Sequence, residues 1–388
     1  MKESIYIKNL GPLKDIVIDD IRPLTVLIGE SGSGKSLLMK TLVLFRYIYK
    51  MLNIRWYLKN SNVNDSKFTI GIKELTSEEL KQYFKPENKD LEVKYAVEIN
   101  GRIHTVEYRN GKIDKKSTGS PIPVDDLIFL KESWISEMRN IIPEWEALGS
   151  SSSSRPLDFY FKETYKDFQD ATSCLSDISL DYLDLSLKVS KANNGKKYNI
   201  VPKNGEYQPI EWRYSSSGIQ TSSSILTLVE YFSKVFSFKD AIERSIISYL
   251  YKSNRLKEFN PQLEPMNMKK IVQIHIEEPE QNLFPDAQCR LMESLCKTVF
   301  SEDIQDRDIR MIMATHSPYL VNYLNILLHQ KNDNKCRVGY NDMAVYRLFN
   351  GRLQSLMAIG ANGRRFVDTS DLTEQMERIM DEYDSLTR

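Results

Sequence analysis

The order of hydrophobic and polar positions along the chain predicts an α/β protein in which antiparallel hairpins are combined with buried strands and helices. Apolar and polar residues alternate over 5–20 around the Gly11-Pro12 turn, and again in segments between 67 and 115, which is typical of hairpins. Continuous apolar runs predict buried strands at 24–28, 126–130, 270–276 and 309–314. Two further hairpins are predicted over 187–201 and 343–356.

Apolar residues at helical spacing predict the helices between these strands. The predicted helices cover 37–57, a stretch after 130 that ends at 145, 158–187, 222–238, 240–251, 286–300 and 318–330. A C-terminal amphipathic helix carries one apolar stripe, formed by Leu372, Met376, Ile379, Tyr383 and Leu386. The stripe is interpreted as core, and a partner surface is the alternative interpretation. The five serines 150–154 predict a flexible connector. No heptad repeat extends over several turns up to residue 201, which excludes a long coiled-coil arm.

Composition narrows the class of protein without revealing its chemistry. The 388 residues are 41% hydrophobic, and 53 Lys and Arg balance 53 Asp and Glu, so no net positive charge indicates a nucleic-acid partner. The four cysteines form no C-x-x-C pair, which argues against disulfides and structural zinc and fits a reducing compartment. The sequence has no apolar run of about eighteen residues and no signal-peptide pattern, so a cytoplasmic protein is expected.

A phosphate-binding loop joins the apolar run 24–28 to the helix that follows. Its sequence, Gly29-Glu30-Ser31-Gly32-Ser33-Gly34-Lys35-Ser36, matches G-x-x-x-x-G-K-[ST]. In such a loop the glycines let backbone N–H groups turn toward the phosphates of ATP, Lys35 reaches the outer phosphates, and the Ser36 hydroxyl binds Mg²⁺. The start of the helix adds the positive end of its dipole. The predicted nucleotide-binding residues are Gly29, Ser31, Gly32, Ser33, Gly34, Lys35 and Ser36.

Two later strands end in residues that suit the other half of a nucleotide-hydrolysing site. The strand 270–276 is followed by Glu277 and Glu278, where Glu277 is expected to hold the Mg²⁺ shell and Glu278 to orient or deprotonate the attacking water. The strand 309–314 is followed by Thr315-His316-Ser317-Pro318. Because parallel strands end at one edge of a sheet, His316 is expected to reach the outer phosphate.

A second anion-binding helix start is predicted at Tyr214-Ser215-Ser216-Ser217-Gly218-Ile219-Gln220. Ser216, Ser217 and Gly218 combine small hydroxyl groups and a glycine with a helix N-terminus. One phosphate site already exists at 29–36, which favours a role for this segment at another subunit's nucleotide. An ordinary helix N-cap is the alternative interpretation.

These four motifs stand in the order found in ABC-type ATPases. The chain resembles the SMC/RecF/OLD-like branch of that class, the AAA15/AAA21-type ATPases common in bacterial defence loci. The closer match lies in Ile7-Lys8-Asn9-Leu10-Gly11-Pro12-Leu13, in Glu277-Glu278-Pro279-Glu280-Gln281-Asn282-Leu283-Phe284-Pro285, and in Ala314-Thr315-His316-Ser317-Pro318.

The resemblance implies both a fold and a set of roles. The fold is a P-loop ATPase with a mixed central sheet, an N-terminal antiparallel β-subdomain and a helical signature lobe. Lys35 and Ser36 would be the Walker A contacts, Ser216 to Gly218 the signature loop, Glu277 and Glu278 the Walker B pair, Glu280 to Leu283 the D-loop and His316 the switch histidine. As a single domain over 1–388, the chain divides into a Walker A core with the β-subdomain (1–125), a mainly helical lobe (126–268) and the Walker B half (269–388).

The resemblance also implies a head-to-tail homodimer in which each signature loop closes over the partner's Walker A site. The sequence departs from the family in reading Gly-Glu-Ser at 29–31, and in lacking the leading leucine and first glycine of the Leu-Ser-Gly-Gly-Gln signature, which predicts slow turnover. OLD-type relatives carry a Toprim nuclease domain after the ATPase. About seventy residues follow His316, which is short for such a domain, so nucleic-acid cleavage is expected from another chain.

The leading hypothesis is an ATPase subunit that dimerises on ATP and controls a separately encoded nuclease or toxin, as in the Septu or PARIS antiphage pairs; the defence assignment is family analogy. The alternative is a RecF-like, ATP-dependent clamp with DNA as its partner. A transporter subunit is disfavoured by the roughly 240 residues between Lys35 and Glu278 and by the two motifs Glu-Glu-Pro-Glu and Thr-His-Ser-Pro, and no membrane partner is expected.

Overall fold

The computed structural model describes residues 1–63, 78–136, 159–193, 195–252, 255–261, 264, 267–304, 306–330, 336 and 338–387. The predictions for 64–77, for the helix through 145 and for the serine connector 150–154 lie outside these residues. Across the described part of the chain, no helix combines the length and apolarity needed to cross a bilayer.

Seventeen strands lie within the described residues. They are β1 (Lys2–Leu10), β2 (Leu13–Ile18), β3 (Leu24–Ile28), β4 (Glu92–Ile99), β5 (Arg102–Arg109), β6 (Lys112–Ile113), β7 (Ile128–Ile135), β8 (Asp177–Leu180), β9 (Leu185–Ala192), β10 (Gly195–Pro202), β11 (Ile210–Glu211), β12 (Lys269–Glu277), β13 (Asp308–Thr315), β14 (Met343–Phe349), β15 (Arg352–Ser355), β16 (Met357–Ile359) and β17 (Arg365–Val367).

The α-helices of the same residues separate these strands. They are α1 (Lys35–Asn60), α2 (Glu78–Lys81), α3 (Lys115–Gly119), α4 (Phe159–Cys174), α5 (Ser217–Glu230), α6 (Phe238–Lys252), α7 (Pro285–Val299), α8 (Pro318–His329) and α9 (Ser370–Thr387). A π-helical turn, Tyr231–Val235, extends α5.

Eleven strands form one mixed sheet in the order β6-β5-β4-β1-β2-β15-β14-β3-β13-β12-β7. One half is an antiparallel set, in which β1 pairs with both β2 and β4. The other half is parallel, with β3 between β13 and β14, and β12 between β13 and β7. The structure thus confirms an α/β fold with a mixed central sheet and an N-terminal antiparallel portion.

The strand order gathers the ends of three distant segments at one edge of the sheet. Ile28, the last residue of β3, pairs with Thr315 on one side and with Arg347 on the other. Glu277, at the end of β12, pairs with Ala314. Residues after β3, β12, β13 and β14 therefore meet near the loop that begins at residue 29.

A buried polar network joins α1 to the sheet. The Glu3 carboxylate accepts hydrogen bonds from Arg46, at 2.6 and 2.9 Å, and from Tyr95, Gln273 and Arg310. Such a buried charge is tolerated because its oxygens are hydrogen-bonded and its charge is paired. The network links strands β1, β4, β12 and β13 to the middle of α1, so it holds that helix against the sheet.

Two predicted helices have different bounds in the structure. The helix predicted over 158–187 ends at Cys174, because the following residues alternate buried and exposed positions and form β8 and β9. These strands join β10 and β11 in a separate four-stranded antiparallel sheet. The helix predicted over 222–238 begins earlier, at Ser217, and gives way to the π-helical turn before α6 begins at Phe238.

The strand predicted over 126–130 instead covers Ile128–Ile135, and Val124–Asp126 form a 3₁₀ turn before it. The C-terminal stripe was predicted as core, and this was wrong for three of its members. Ile379, Tyr383 and Leu386 expose about 60% or more of their surface, at 60%, 61% and 80%. Their helical spacing was correct, but α9 presents that part of the stripe to solvent rather than to the sheet.

Candidate functional site

The phosphate loop turns sharply between β3 and α1. Gly34 has φ +104°, and a Cβ atom there would lie 2.7 Å from a methyl group of Leu13. Only glycine tolerates both the left-handed backbone and this close approach. The loop therefore enters α1 directly beside the β1–β2 turn, and the helix N-terminus opens toward the loop.

Lys35 lies at the first position of α1 and is almost completely buried. Its ammonium group donates hydrogen bonds to the backbone carbonyls of Gly29, at 2.8 Å, and Glu30, at 3.0 Å. Its Nζ atom also lies 3.2 Å from His316 Nε2. Burial lowers the pKa of Lys35, and the carboxylates of the nearby 277–280 segment oppose that shift.

Glu278 and His316 face each other across the ends of β12 and β13. Glu278 Oε1 lies 3.4 Å from His316 Nε2, and both side chains are partly exposed. The Glu278 backbone has φ +46°, and its N–H donates to the carbonyl of Ala314 at 2.8 Å. A non-glycine residue in this region is strained and persists only where its surroundings hold it. The turn thereby directs the carboxylate away from the strand and toward Lys35 and His316.

Two residues of the predicted D-loop, which were not predicted to be catalytic or to bind the nucleotide, hold these groups in place. Glu280 Oε1 accepts a 2.6 Å hydrogen bond from the backbone N–H of His316. Gln281 Nε2 donates to Glu278 Oε2 at 2.5 Å. The Gln281 contact is local to the segment after β12, whereas Glu280 reaches the end of β13, a partner that the sequence pattern does not reveal.

Ser36 and Glu277 carry oxygen atoms of the kind that Mg²⁺ binds. Ser36 follows Lys35 in the first turn of α1, and Glu277 ends the neighbouring strand β12. No cluster of three or more His, Cys, Asp or Glu that could hold a metal occurs among the described residues. Mg²⁺ at nucleotide sites is commonly held by one or two protein groups together with phosphate oxygens and water, so this donor set fits the ion.

The predicted signature residues lie at the start of α5. Ser216 is the N-cap, and its hydroxyl accepts a 3.4 Å hydrogen bond from the N–H of Ile219. A Cβ atom at Gly218 would lie 2.5 Å from the Asn282 carbonyl, so α5 abuts the segment that follows Glu278. These contacts are with residues after β12, whereas the phosphate loop contacts the β1–β2 turn. The start of α5 therefore packs on the segment after β12, which also carries Glu278 and Glu280.

Comparison with known proteins finds matches among solved structures. No protein-family model matches the sequence, and no curated protein matches it. Among solved structures, the SMC head bound to the C-terminal winged-helix domain of ScpA is similar at 13% identity and TM-score 0.37, covering 91% of this chain and 97% of that one. The recombination mediator RecF is similar at 11% identity and TM-score 0.35, covering 92% of this chain and 98% of that one. The cbiO1 protein of Clostridium perfringens, part of an ABC transporter complex, is similar at 12% identity and TM-score 0.31, covering 97% of this chain and 92% of that one. Scores in this range establish neither a family nor an activity.

Proposed function

We propose that this protein binds ATP with Mg²⁺ and hydrolyses it to ADP and phosphate. The observation that carries the proposal is the position of His316, whose Nε2 lies 3.2 Å from Lys35 Nζ and 3.4 Å from Glu278 Oε1 at the ends of adjacent parallel strands. A lysine at a phosphate loop, a carboxylate and an imidazole are the groups that phosphoryl transfer to water needs for charge stabilisation and water activation.

Each residue has a distinct role in this proposal. The backbone N–H groups of 29–34 and the Lys35 ammonium bind the phosphates, and the positive end of α1 adds to that attraction. Glu278 orients the attacking water and accepts its proton, while His316 donates a hydrogen bond toward the outer phosphate. Ser36 and Glu277 would hold Mg²⁺, which neutralises charge that develops on the phosphate oxygens.

We further propose that two copies close head to tail on ATP, with Ser216, Ser217 and Gly218 of one subunit facing the other subunit's phosphate loop. Two exposed aromatic side chains support an interface here. Tyr214 precedes the signature residues and is 74% exposed, and Phe284 follows the segment that Gly218 contacts and is 80% exposed. Exposed aromatic residues around a helix N-terminus suit a protein interface better than a solvent-facing surface.

The biological role that we propose is control of a separately encoded effector, a nuclease or toxin, in bacterial antiphage defence. The defence context rests on the sequence resemblance alone. A protein partner is favoured by α9, where exposed Ile379, Tyr383 and Leu386 share a helical spacing. The RecF-like DNA clamp is the second candidate. The molecule that copurifies with the dimer, an effector protein or DNA, distinguishes the two roles.

Binding of MgATP by the Lys35→Ala variant tests the proposed activity. Because charge-assisted hydrogen bonds contribute about 1.5–3 kcal/mol each, loss of the ammonium should weaken ATP binding roughly 100-fold or more in calorimetric titrations. Lys8→Ala, an exposed residue on β1, is the matched control and should bind ATP as the wild type does. Equal affinity of the Lys35→Ala variant and the wild type would show that the proposed function is wrong.

A further inference from the structure

A cavity beside the phosphate loop is formed by parts of the chain far apart in sequence. It has a volume of about 400 Å³ and lies between residues 30–33, the β1–β2 turn at Pro12 and Lys14, and the β14–β15 turn over 347–351. Pockets of a few hundred Å³ are the size that holds a small ligand. None of the residues from the β1–β2 and β14–β15 turns has a role in the phosphate site described above.

The β14–β15 turn holds an aromatic ring at this cavity. Phe349 ends β14 and exposes 48% of its surface, although it is a large apolar side chain. The guanidinium carbon of Arg347 lies over its ring, 5.1 Å from the centroid, and Arg347 also donates to Asp371 at 3.0 Å. A planar ring and a guanidinium group are the side chains on which nucleic-acid bases stack.

The turn is held rigidly against the phosphate-loop side of the fold. Asn350 and Gly351 both have positive φ, at +50° and +78°, which makes the tight two-residue turn of a hairpin. The Gly351 carbonyl accepts hydrogen bonds from the N–H groups of Lys14, at 2.9 Å, and Asp15, at 3.2 Å. These bonds hold the Phe349 ring beside the β1–β2 turn.

The position of the phosphate loop also favours this cavity as the place for the nucleoside of a bound nucleotide. Gly34, where the loop enters α1, lies against Leu13 and Pro12. The cavity is lined by loop residues 30–33, so a nucleotide with its phosphates along 29–36 would have this space within reach of its nucleoside. The nucleoside therefore has an open, ring-lined space next to its phosphates.

We propose that this cavity is the nucleoside subsite of the ATP site and that Phe349 is the platform on which the base stacks. The proposal rests on the proposed function, because it places the base of the same nucleotide whose phosphates the loop would hold. Stacking uses the π-face that every base has, so Phe349 contributes affinity and does not choose between bases.

The test compares MgATP with magnesium tripolyphosphate, which has the phosphates but no base, in calorimetric titrations of the whole chain. Phe349→Ala should lose about 5- to 150-fold in ATP affinity and keep the wild-type affinity for tripolyphosphate. Phe349→Trp should retain ATP binding because the stacking surface remains. Tyr251→Ala, which removes an exposed aromatic residue on α6, is the matched control and should change neither affinity.

Three results would contradict the proposal that this cavity binds the nucleoside. They are wild-type ATP affinity in Phe349→Ala, equal loss of ATP and tripolyphosphate in that variant, and equal wild-type affinity for the two ligands. In each of these cases, if Lys35→Ala still loses both ligands, the ATPase proposal stands and only the base site is wrong. If the wild type binds neither ligand, both proposals fail.

Discussion

Glu132 lies on β7 among cationic side chains, and one of its carboxylate oxygens is enclosed with no hydrogen-bond partner among the described residues. Burial raises the pKa of Glu132 from 4.5 to about 7, against the opposing attraction of Lys50, Arg46 and Lys131. Between those two pH values the folded protein keeps a proton that the unfolded chain releases. This group therefore makes the folded state less stable as pH rises from about 4.5 to about 7.

The Glu132→Gln variant should lose that contribution. Urea denaturation at a series of pH values from 5 to 7 measures the free energy of unfolding of both proteins. The value for the variant minus the value for the wild type should increase with pH, because glutamine does not titrate. Glu98→Gln, an exposed residue of β4, is the control and should give a profile parallel to that of the wild type. Parallel profiles for Glu132→Gln and the wild type would contradict the assignment.

His275 is a histidine close to the candidate site in sequence that has a structural role in the core. It lies in the middle of β12, two residues before Glu277, and could be taken for part of the site. In the structure its Nε2 lies 2.8 Å from Arg46 Nη1, which can only donate, and its Nδ1 lies 3.1 Å from the Ser133 carbonyl. Burial lowers the pKa of His275 well below its usual range, so it is a neutral core residue.

At the scale of elements, the contact between α5 and the segment after Glu278 couples two of the predicted motifs. Gly218 lies so close to the Asn282 carbonyl that a Cβ atom would sit at 2.5 Å. Glu280, in the same segment, holds the backbone of His316. Displacement of this segment should therefore disturb the hydrolytic group while it leaves the phosphate loop intact.

The Gly218→Ala variant tests this coupling. Overpacking should destabilise the fold by about 1–3 kcal/mol, and ATP hydrolysis should fall roughly tenfold while ATP affinity changes little. Thermal unfolding and steady-state hydrolysis are the measurements. Gly119→Ala adds a Cβ atom that meets nothing within 4 Å and should leave both unchanged. A Gly218→Ala variant with wild-type turnover would show that the segment is not coupled to hydrolysis.

At the scale of the whole molecule, the proposed dimer sets the signature residues of one copy against the phosphate loop of the other. Within one chain, Gly218 at the start of α5 packs on the segment after β12, and Ser216 is the N-cap of that helix. ATP bound between two subunits would be enclosed by a phosphate loop from one and a helix start from the other.

The Glu278→Gln variant should trap that dimer, because it keeps the shape of the site and removes water activation. Native mass measurement with MgATP should show a dimer for Glu278→Gln, and steady-state hydrolysis should fall by about 100-fold or more. Glu98→Gln should hydrolyse ATP as the wild type does. An unchanged rate of ATP hydrolysis in Glu278→Gln would show that this carboxylate does not activate the attacking water.

The same variant, purified with MgATP from its native host, distinguishes the two biological roles. A stoichiometric nuclease-like or toxin-like chain in the mass spectrum would support control of an effector. A bare dimer that retains DNA fragments would instead favour the RecF-like clamp, and a salt-dependent affinity for DNA would then be expected.

The local pattern of the sequence was sufficient to identify most elements and the chemistry that they carry. Alternation, continuous apolar runs and helical spacing depend on residues close together in the chain, and so does the spacing of Gly29 to Ser36. Where local signals competed, the prediction was wrong: apolar residues in 176–187 suited a helix as well as the strands β8 and β9. The exposure of the apolar stripe on α9 could not be predicted either, because helical spacing of apolar residues does not identify the surface that packs against them.

Only the tertiary structure decided which distant segments meet. The placement of β3 between β13 and β14 brings His316 beside Lys35 and puts the Phe349 turn next to the phosphate loop, although about 280 to 320 residues separate the partners in sequence. Strand order depends on long-range pairing and on the burial of both sheet faces, for which a single strand carries no local signal. The sequence by itself thus determined the phosphate-loop motif on which the proposed function rests, and the packing of the sheet decided which residues lie beside it.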